Sequence, residues 1–348
     1  MRYARMVMVL LVCTIMCPIG AAQQLRNQVC LSEGKQQPTY VHLCSKGQWM
    51  PNPPDGKQAR VAICAWNAAD KQETIISEDS GSYLCVSARG LIAFMKIAEG
   101  YTGGPNPKTL LRVINSSGKE LRTLSTVKTI RDLDWSPDGK RLVFLVGLEA
   151  EEFGKYFEAE IFIYDVERGE AQKIFDGGYQ VQWAPFDGRI YIYDLAMTPH
   201  VHAYDPCSRK VQPTEYHGVY FSPGGRYYYV PQYDPSGMEL YVRATNERVA
   251  SLPSSPVAGE ALNLKPRMWL NDEWLIGMIE NGEQKPPYYL LDASTGEVLK
   301  CTDSVVSAYT ADSVVVQRPD GEYDTESIQD MTSVKPHALP LPVDHMRK

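Results

Sequence analysis

Asp134-Trp135-Ser136-Pro137-Asp138-Gly139-Lys140 runs directly into the apolar stretch Arg141-Leu142-Val143-Phe144-Leu145-Val146. A looser copy, Gln182-Trp183-Ala184-Pro185-Phe186-Asp187-Gly188-Arg189, precedes Ile190 to Tyr193, and a third, Tyr220-Phe221-Ser222-Pro223-Gly224-Gly225-Arg226, precedes Tyr227 to Val230. An aromatic residue, a Pro-Asp-Gly type turn and a buried strand, repeated along a chain, mark a repeat architecture. Proline presets φ at the second turn position, aspartate tolerates the third, and glycine accepts positive φ at the exit. Weaker copies stand at Ala88-Arg89-Gly90, Leu270 to Glu273 and Thr310 to Asp312. The runs that follow are continuously apolar, as expected of strands covered on both faces.

A second kind of turn follows strands rich in aromatic and β-branched residues. Ile161 to Asp165 leads to Val166-Glu167-Arg168-Gly169, and Tyr288 to Asp292 leads to Ala293-Ser294-Thr295-Gly296. Similar hairpins follow Trp66-Asn67, Ile114-Asn115, Tyr204-Asp205 and Arg243-Ala244. Let the strands of one unit be a, b, c and d, the first turn joining a to b and the second c to d. Each kind then recurs about every 40–50 residues, the size of a propeller blade. The expectation is an all-β, six-bladed β-propeller of four-stranded antiparallel blades. The series opens on a c–d hairpin near Asn67 and closes on an a–b hairpin near Asp312. Joining Ala62–Trp66 to Ser313–Gln317 would complete the sixth blade and remove two bare edges. A seventh blade from residues 23–57 or from the last thirty is disfavoured, because neither stretch carries both turns.

The segment Trp135-Ser136-Pro137-Asp138-Gly139 with its following strand resembles the TolB-like propeller repeat, also called the WD-repeat-like β-propeller repeat. The resemblance covers roughly residues 60–318, sharp in one blade and fainter elsewhere: Gly224 replaces the aspartate in one copy, and Met268 to Asp272 lacks the proline. It implies a six- or seven-bladed ring, often periplasmic. It implies no single activity, since such propellers serve as partner-binding discs, as domains beside peptidases and as enzymes.

The chain opens with Arg2 and Arg5, an apolar run from Met6 to Met16 too short to span a bilayer, and the small residues Gly20-Ala21-Ala22. This reads as a signal peptide over 1–22, cleaved near Ala22, placing the protein in the periplasm or outside the cell. Residues 23–58 then form a cysteine-containing extension, 59–318 the propeller and 319–348 a polar tail. With 35 Lys and Arg against 42 Asp and Glu, the formal charge is −7. A nucleic-acid or anionic-membrane partner would need a basic face instead. No stable membrane insertion is expected. Cys30, Cys44, Cys64, Cys85, Cys207 and Cys301 remain after the signal, and in an oxidising compartment disulfides are the default. Cys30 and Cys44 flank a short segment and are expected to pair with each other; the other partners stay open.

No catalytic motif is recognised. The chain has no G-x-S-x-G elbow, no H-E-x-x-H helix and no phosphate-cradling glycine loop, so neither cofactor nor metal is expected. His200 and His202 lie two apart on a strand, with Asp205 and His217 nearby in sequence, and read as edge histidines rather than ligands. Asn115-Ser116-Ser117 is a glycosylation sequon that also serves as a turn. The functional clue is loop asymmetry. The a–b and c–d turns are tight, whereas the b–c and d–a connections are long and uneven, at 98–108, 147–160, 231–238, 253–266 and 280–287. They carry Tyr101, Glu151, Phe153, Tyr156, Tyr233 and Asp234. Aromatics with polar tips amid carboxylates suit recognition. The expectation is a non-catalytic scaffold that binds a protein or peptide of the cell envelope through this face or a central channel. The alternative is a propeller enzyme acting on a saccharide, a hydrolase or lyase with carboxylates or His217 near the channel, which converging carboxylates would favour.

Overall fold

The computed structural model describes residues 29–31, 38–45, 61–78, 83–97, 109–126, 128–147, 159–194, 200–217, 219–233, 236–253, 256–257, 260–261, 264–279, 288–300, 304–310, 313–318 and 322–333. They are almost entirely β. The first sheet holds β1 (Val29–Leu31), β2 (Pro38–Ser45), β3 (Val61–Asn67) and β4 (Gln72–Ser77). The second holds β5 (Cys85–Val86), β6 (Ile92–Ile97), β7 (Thr109–Ile114) and β8 (Glu120–Thr126). The third holds β9 (Thr129–Trp135), β10 (Arg141–Gly147), β11 (Ala159–Asp165) and β12 (Glu170–Asp176). The fourth holds β13 (Gln180–Trp183), β14 (Ile190–Tyr193), β15 (His200–Asp205) and β16 (Lys210–His217). The fifth holds β17 (Tyr220–Phe221), β18 (Tyr227–Tyr233), β19 (Ser236–Val242) and β20 (Glu247–Pro253). After a two-stranded ribbon of β21 (Pro256–Val257) and β22 (Glu260–Ala261) comes a sheet of β23 (Leu264–Trp269), β24 (Trp274–Ile279), β25 (Tyr288–Asp292) and β26 (Val298–Lys300). The last sheet has three strands, β27 (Ser304–Thr310), β28 (Ser313–Gln317) and β29 (Tyr323–Ser327), followed by the short helix α1 (Ile328–Ser333). Consecutive strands pair antiparallel in sequence order, which is the four-stranded meander of a propeller blade.

The first turn type is built as its residues dictate. The Ser136 hydroxyl bonds Asp138 at 2.6 Å and accepts the Arg141 N–H at 2.9 Å, and the Gly139 N–H reaches the Ser136 carbonyl at 2.8 Å. Gly139 sits at φ +63°, where a side chain would be strained. Ser87 and Ser222 take the same post: the Gly90 and Gly225 N–H groups close on their carbonyls, and their hydroxyls accept the N–H of Leu91 and Tyr227. All three serines are buried.

The closing pairing differs from the sequence expectation. Strand β3 is flanked by β2 and β4, and β28 by β27 and β29. A strand has two edges, so Ala62–Trp66 do not pair with Ser313–Gln317. The count of six rested on that pairing. Among the described residues there are instead six four-stranded sheets, one three-stranded sheet and the ribbon. Residues 29–45, expected as an extension outside the repeats, supply the first two strands of the first sheet, and residues 323–327, expected in the tail, supply the last strand.

The same register overturns the Cys30–Cys44 disulfide. Cys30 stands opposite Thr39, and Cys44 lies farther along the same strand, opposite Ala62. At about 3.4 Å per residue the two Cα atoms are roughly 17 Å apart, and a disulfide needs about 7 Å or less. Cys64 is disulfide-bonded. Cys85 and Cys207 are free, one buried and one exposed. Burial, with Asp134 and Asp132 adding to it, pushes the Cys85 thiol well above its ordinary range.

The chain divides into two compact units. One contains the described residues up to Trp183 together with those in 188–197 and 202–213; the other contains those in 184–187, 198–201 and 214–348. In the first unit, Trp135 packs with Leu133, Cys85, Met95 and Phe144 across the second and third sheets. Its indole N–H reaches the Cys85 carbonyl at 3.2 Å. Val143, Leu145 and Ile161 of the third sheet pack against Val181, Ile190 and Ile192 of the fourth. In the second unit Trp269 repeats the Trp135 bond, its indole N–H meeting the Tyr220 carbonyl at 3.3 Å. Tyr229, Leu240, Leu275 and Leu291 form the core there.

Two buried carboxylates join the third sheet to the fourth. Asp132 accepts the Leu133 N–H of its own strand at 2.9 Å and the Val181 N–H of β13 at 2.8 Å. Asp134 does the same with Trp135 and Trp183, both at 2.9 Å. Asp134→Ala should leave the Trp183 N–H buried without an acceptor and cost about 1–3 kcal/mol, read as a lower urea midpoint. Asp132→Ala should behave alike, whereas Glu170→Ala on an exposed strand should stay within about 0.5 kcal/mol. Equal midpoints for all three would refute the assignment.

Candidate functional site

Antiparallel order sorts the connections within each sheet. The a–b and c–d turns lie at one edge, and the b–c connections at the other. In the six four-stranded sheets the b–c segments are 46–60, 98–108, 148–158, 195–199, 234–235 and 280–287. The segment expected to be a long loop at 231–238 is instead almost all strand. Its register runs up to Tyr233 opposite Ser236, leaving two residues between them. Pro231 falls beyond the reach of β17, which ends its pairing at Tyr220 opposite Tyr229, so only β19 flanks it and the proline is tolerated. The d–a segment 253–266 contains the β21–β22 ribbon, but the d–a connections after β8, β12, β16 and β26, expected to be long, span only two or three residues.

At the tight-turn edge most Asn and Asp acceptors are engaged within their own turns. Asn67 accepts the Ala69 N–H, Asn115 those of Ser117 and Lys119, Asp138 that of Lys140, Asp205 that of Cys207, Asn271 those of Glu273 and Trp274, and Asp292 that of Ser294. These acceptors each bond their own turn, the local pattern of Asx turns, while other side chains at this edge bond between sheets: Arg89 meets Glu167 at 3.1 Å, and Asp272 accepts the Gly224 N–H at 2.7 Å. Burial raises the Asp138 carboxyl, but the Ser136 hydroxyl and the Lys140 N–H outweigh it and hold it below its ordinary value.

The long-loop edge is organised differently. Glu160, at the start of β11, bonds Lys128 at 2.9 Å and Lys173 at 3.2 Å, and Lys173 also meets Asp176 at 2.8 Å. This chain of alternating charge crosses the edge of the third sheet at the foot of segment 148–158. The Lys128 ammonium, followed by Lys173, holds the Glu160 carboxyl below its usual range against the opposing effect of partial burial. Next to it, the Thr109 and Thr126 hydroxyls bond each other at 2.8 Å, and Thr126 reaches the Lys128 carbonyl at 2.7 Å. On the fourth sheet, His200 and His217 bring their rings to 5.0 Å, and His202 lies against Phe175 and 3.8 Å from Asp194.

Tyr101, Glu151, Phe153, Tyr156 and Asp234 fall outside the described residues. Tyr233 ends β18 at the long-loop edge. Sequence reasoning missed Asp132 and Asp134, although Arg131, Asp132 and Asp134 within a strand leading into a buried one were a signal. It also missed an aromatic network in the second unit. Tyr228 stacks on Tyr241 at 5.1 Å, Tyr216 meets Phe221 and Tyr228 edge-on, and Arg243 covers Phe186 at 4.5 Å. Burial, then the Glu239 carboxylate 2.7 Å away, pushes the Tyr241 hydroxyl up to about 12. Among the described residues no three His, Cys, Asp or Glu side chains cluster as a metal site, and no helix is long and apolar enough to cross a membrane.

The chain resembles β-propellers of known structure. It covers 88% of its length and 95% of the β-propeller domain of the Trilobed protease from Pyrococcus furiosus, with a TM-score of 0.53 and 12% identity. It matches oligogalacturonate lyase from Vibrio parahaemolyticus over 85% of this chain and 94% of that one, with a TM-score of 0.52 and 13% identity. Against the acylaminoacyl peptidase of Pyrococcus horikoshii the TM-score is 0.50 at 12% identity, and the match spans about half of that enzyme, 52%. The fold is a β-propeller. At such identities the likeness extends to the fold alone. No protein-family model and no curated protein sequence matches the chain.

The Glu160 cluster sets an acid-sensitivity test. Its carboxyl titrates lower in the folded protein than in the unfolded chain, so its stabilisation is complete above the unfolded pKa. That stabilisation is lost as pH falls through the folded value. Between about pH 5 and pH 3 the native chain should therefore lose more stability than Glu160→Gln. Parallel curves for the two proteins would show that the cluster contributes nothing.

Proposed function

We propose that the chain is an exported, TolB-like propeller that binds a protein or peptide partner in the cell envelope through its long-loop edge and acts as a non-catalytic scaffold. The observation that carries this reading is the difference between the two edges of the sheets. At the tight-turn edge, most Asn and Asp acceptors are engaged by the backbone of their own turns. At the other edge, long segments rich in aromatics and carboxylates rise from strands braced by the Lys128–Glu160–Lys173–Asp176 chain. Loops on a rigid scaffold are where recognition concentrates. Asp132 and Asp134, two carboxylates on one buried strand, hold backbone N–H groups of β13, a structural duty rather than that of an acid–base pair.

The test compares the two edges in the full chain. Phe153→Ser with Tyr156→Ser should abolish co-purification of a partner from envelope extract, with the thermal midpoint unchanged. Arg168→Glu, in a c–d turn, should leave the partner bound. A partner lost only with Arg168→Glu would place recognition on the wrong edge, and turnover of a saccharide without any captured partner would favour an enzyme. N-terminal sequencing of the exported protein should begin near Gln23. A chain that still carries Met1 to Met16 would be anchored instead.

A further inference from the structure

The fourth sheet carries two exposed histidines on neighbouring strands. His200 opens β15 and His217 ends β16, so both stand at the long-loop edge. The strands are tied there by the Thr214 hydroxyl, which donates to the Val201 carbonyl at 2.6 Å. The two imidazole rings lie 5.0 Å apart between centres, with their planes inclined by 65°.

We propose that His200 and His217 form a two-histidine chelate for a divalent transition-metal ion of the imidazole-preferring class, copper(II) or zinc(II). The separation is the one such an ion requires. A metal–nitrogen bond of about 2.0–2.1 Å puts each ring centre about 3.2 Å from the ion, and near-tetrahedral ligands then lie about 5 Å apart between centres. The two histidines stand at the same end of adjacent strands that the Thr214–Val201 bond ties together, so their backbones are held in place before the ion arrives. Imidazole nitrogens suit zinc, nickel and copper, and affinity for a given site peaks at copper(II). Magnesium and calcium prefer oxygen ligands and are excluded by the donor set. Two protein ligands leave the remaining coordination positions to water, so the bound ion is open to exchange with an outside donor. His202 takes no part: its ring is engaged with Phe175 and faces Asp194. The proposal does not depend on the partner-binding reading.

The test is isothermal titration of the untagged full-length chain with copper(II) and, separately, zinc(II). Both ions should bind at one saturable site, copper(II) more tightly. His200→Gln and His217→Gln, which keep a polar surface, should each weaken copper(II) binding by more than the roughly 10- to 100-fold that losing an outer-shell partner of a metal ligand costs. His202→Gln should bind like the native chain. The copper(II) complex should also show a nitrogen-ligand electron paramagnetic resonance signature that both chelate variants lose. No saturable binding of either ion would overturn the proposal. So would native affinity in His200→Gln or His217→Gln, which would assign the ion to histidines elsewhere in the chain.

Discussion

The inner edge of each sheet is the constraint on which the structure depends. A four-stranded sheet leaves its first strand with one unpaired row of N–H and C=O groups, and buried groups without partners are costly. At the boundary between the third and fourth sheets, β9 supplies the missing acceptors from its side chains. Asp132 and Asp134, two residues apart, meet the N–H groups of Val181 and Trp183, also two residues apart. The match follows from strand periodicity: alternate side chains point to one face of β9, and alternate N–H groups point to one edge of β13. Where no such aspartates stand, an indole solves the converse problem. Trp135 and Trp269 each donate to a carbonyl on the first strand of the preceding sheet. Ordering of the inner strands thus rests on a few polar contacts set within apolar packing.

That division explains what the sequence disclosed and what it hid. The Ser136–Gly139 turn was legible because every bond in it is local: serine, aspartate and glycine act on backbone groups within five residues. Four-stranded repetition followed from the spacing of such turns. Strand partners at the ends were not legible, because pairing is non-local. Residues 38–45 have strand composition but lack either turn, and β29, Tyr-Asp-Thr-Glu-Ser, is polar and only half-buried along its length. Neither announces itself through hydrophobic pattern. The cysteine expectation failed for a related reason. Proximity in sequence suggested Cys30 with Cys44, but a hairpin turns Cys30 toward Thr39 and carries Cys44 away along the strand. Asp132 and Asp134 were hidden because an internal charge in a strand is ordinarily read as facing water.

At the site the legible part was the length of the b–c segments 98–108, 148–158 and 280–287; the d–a connections, also expected to be long, span only two or three residues after β8, β12, β16 and β26. Segment 231–238 shows a further limit. Two prolines suggested a loop, but Tyr227 to Tyr233 is a strongly β-forming run, and it extends through Pro231 once the strand on one side has ended.

The two edges of the sheets answer to different physics. At the tight-turn edge the chain must reverse within a few residues, so Asn, Asp, Ser and Gly are selected by backbone geometry and their polar atoms are engaged locally. At the opposite edge closure costs little more for a longer segment, since the entropy of a loop grows only slowly with length. Sequence there is released from turn chemistry, and side chains can be chosen for what they meet. The described strand ends show that freedom: Glu160 between two lysines, and His200 against His217, are contacts made between strands rather than within a turn. Groups held by neighbouring strands keep their spacing when a ligand arrives, which lowers the ordering cost of binding. On the proposed reading, a partner is met at the edge where longer b–c segments free the sequence from turn chemistry.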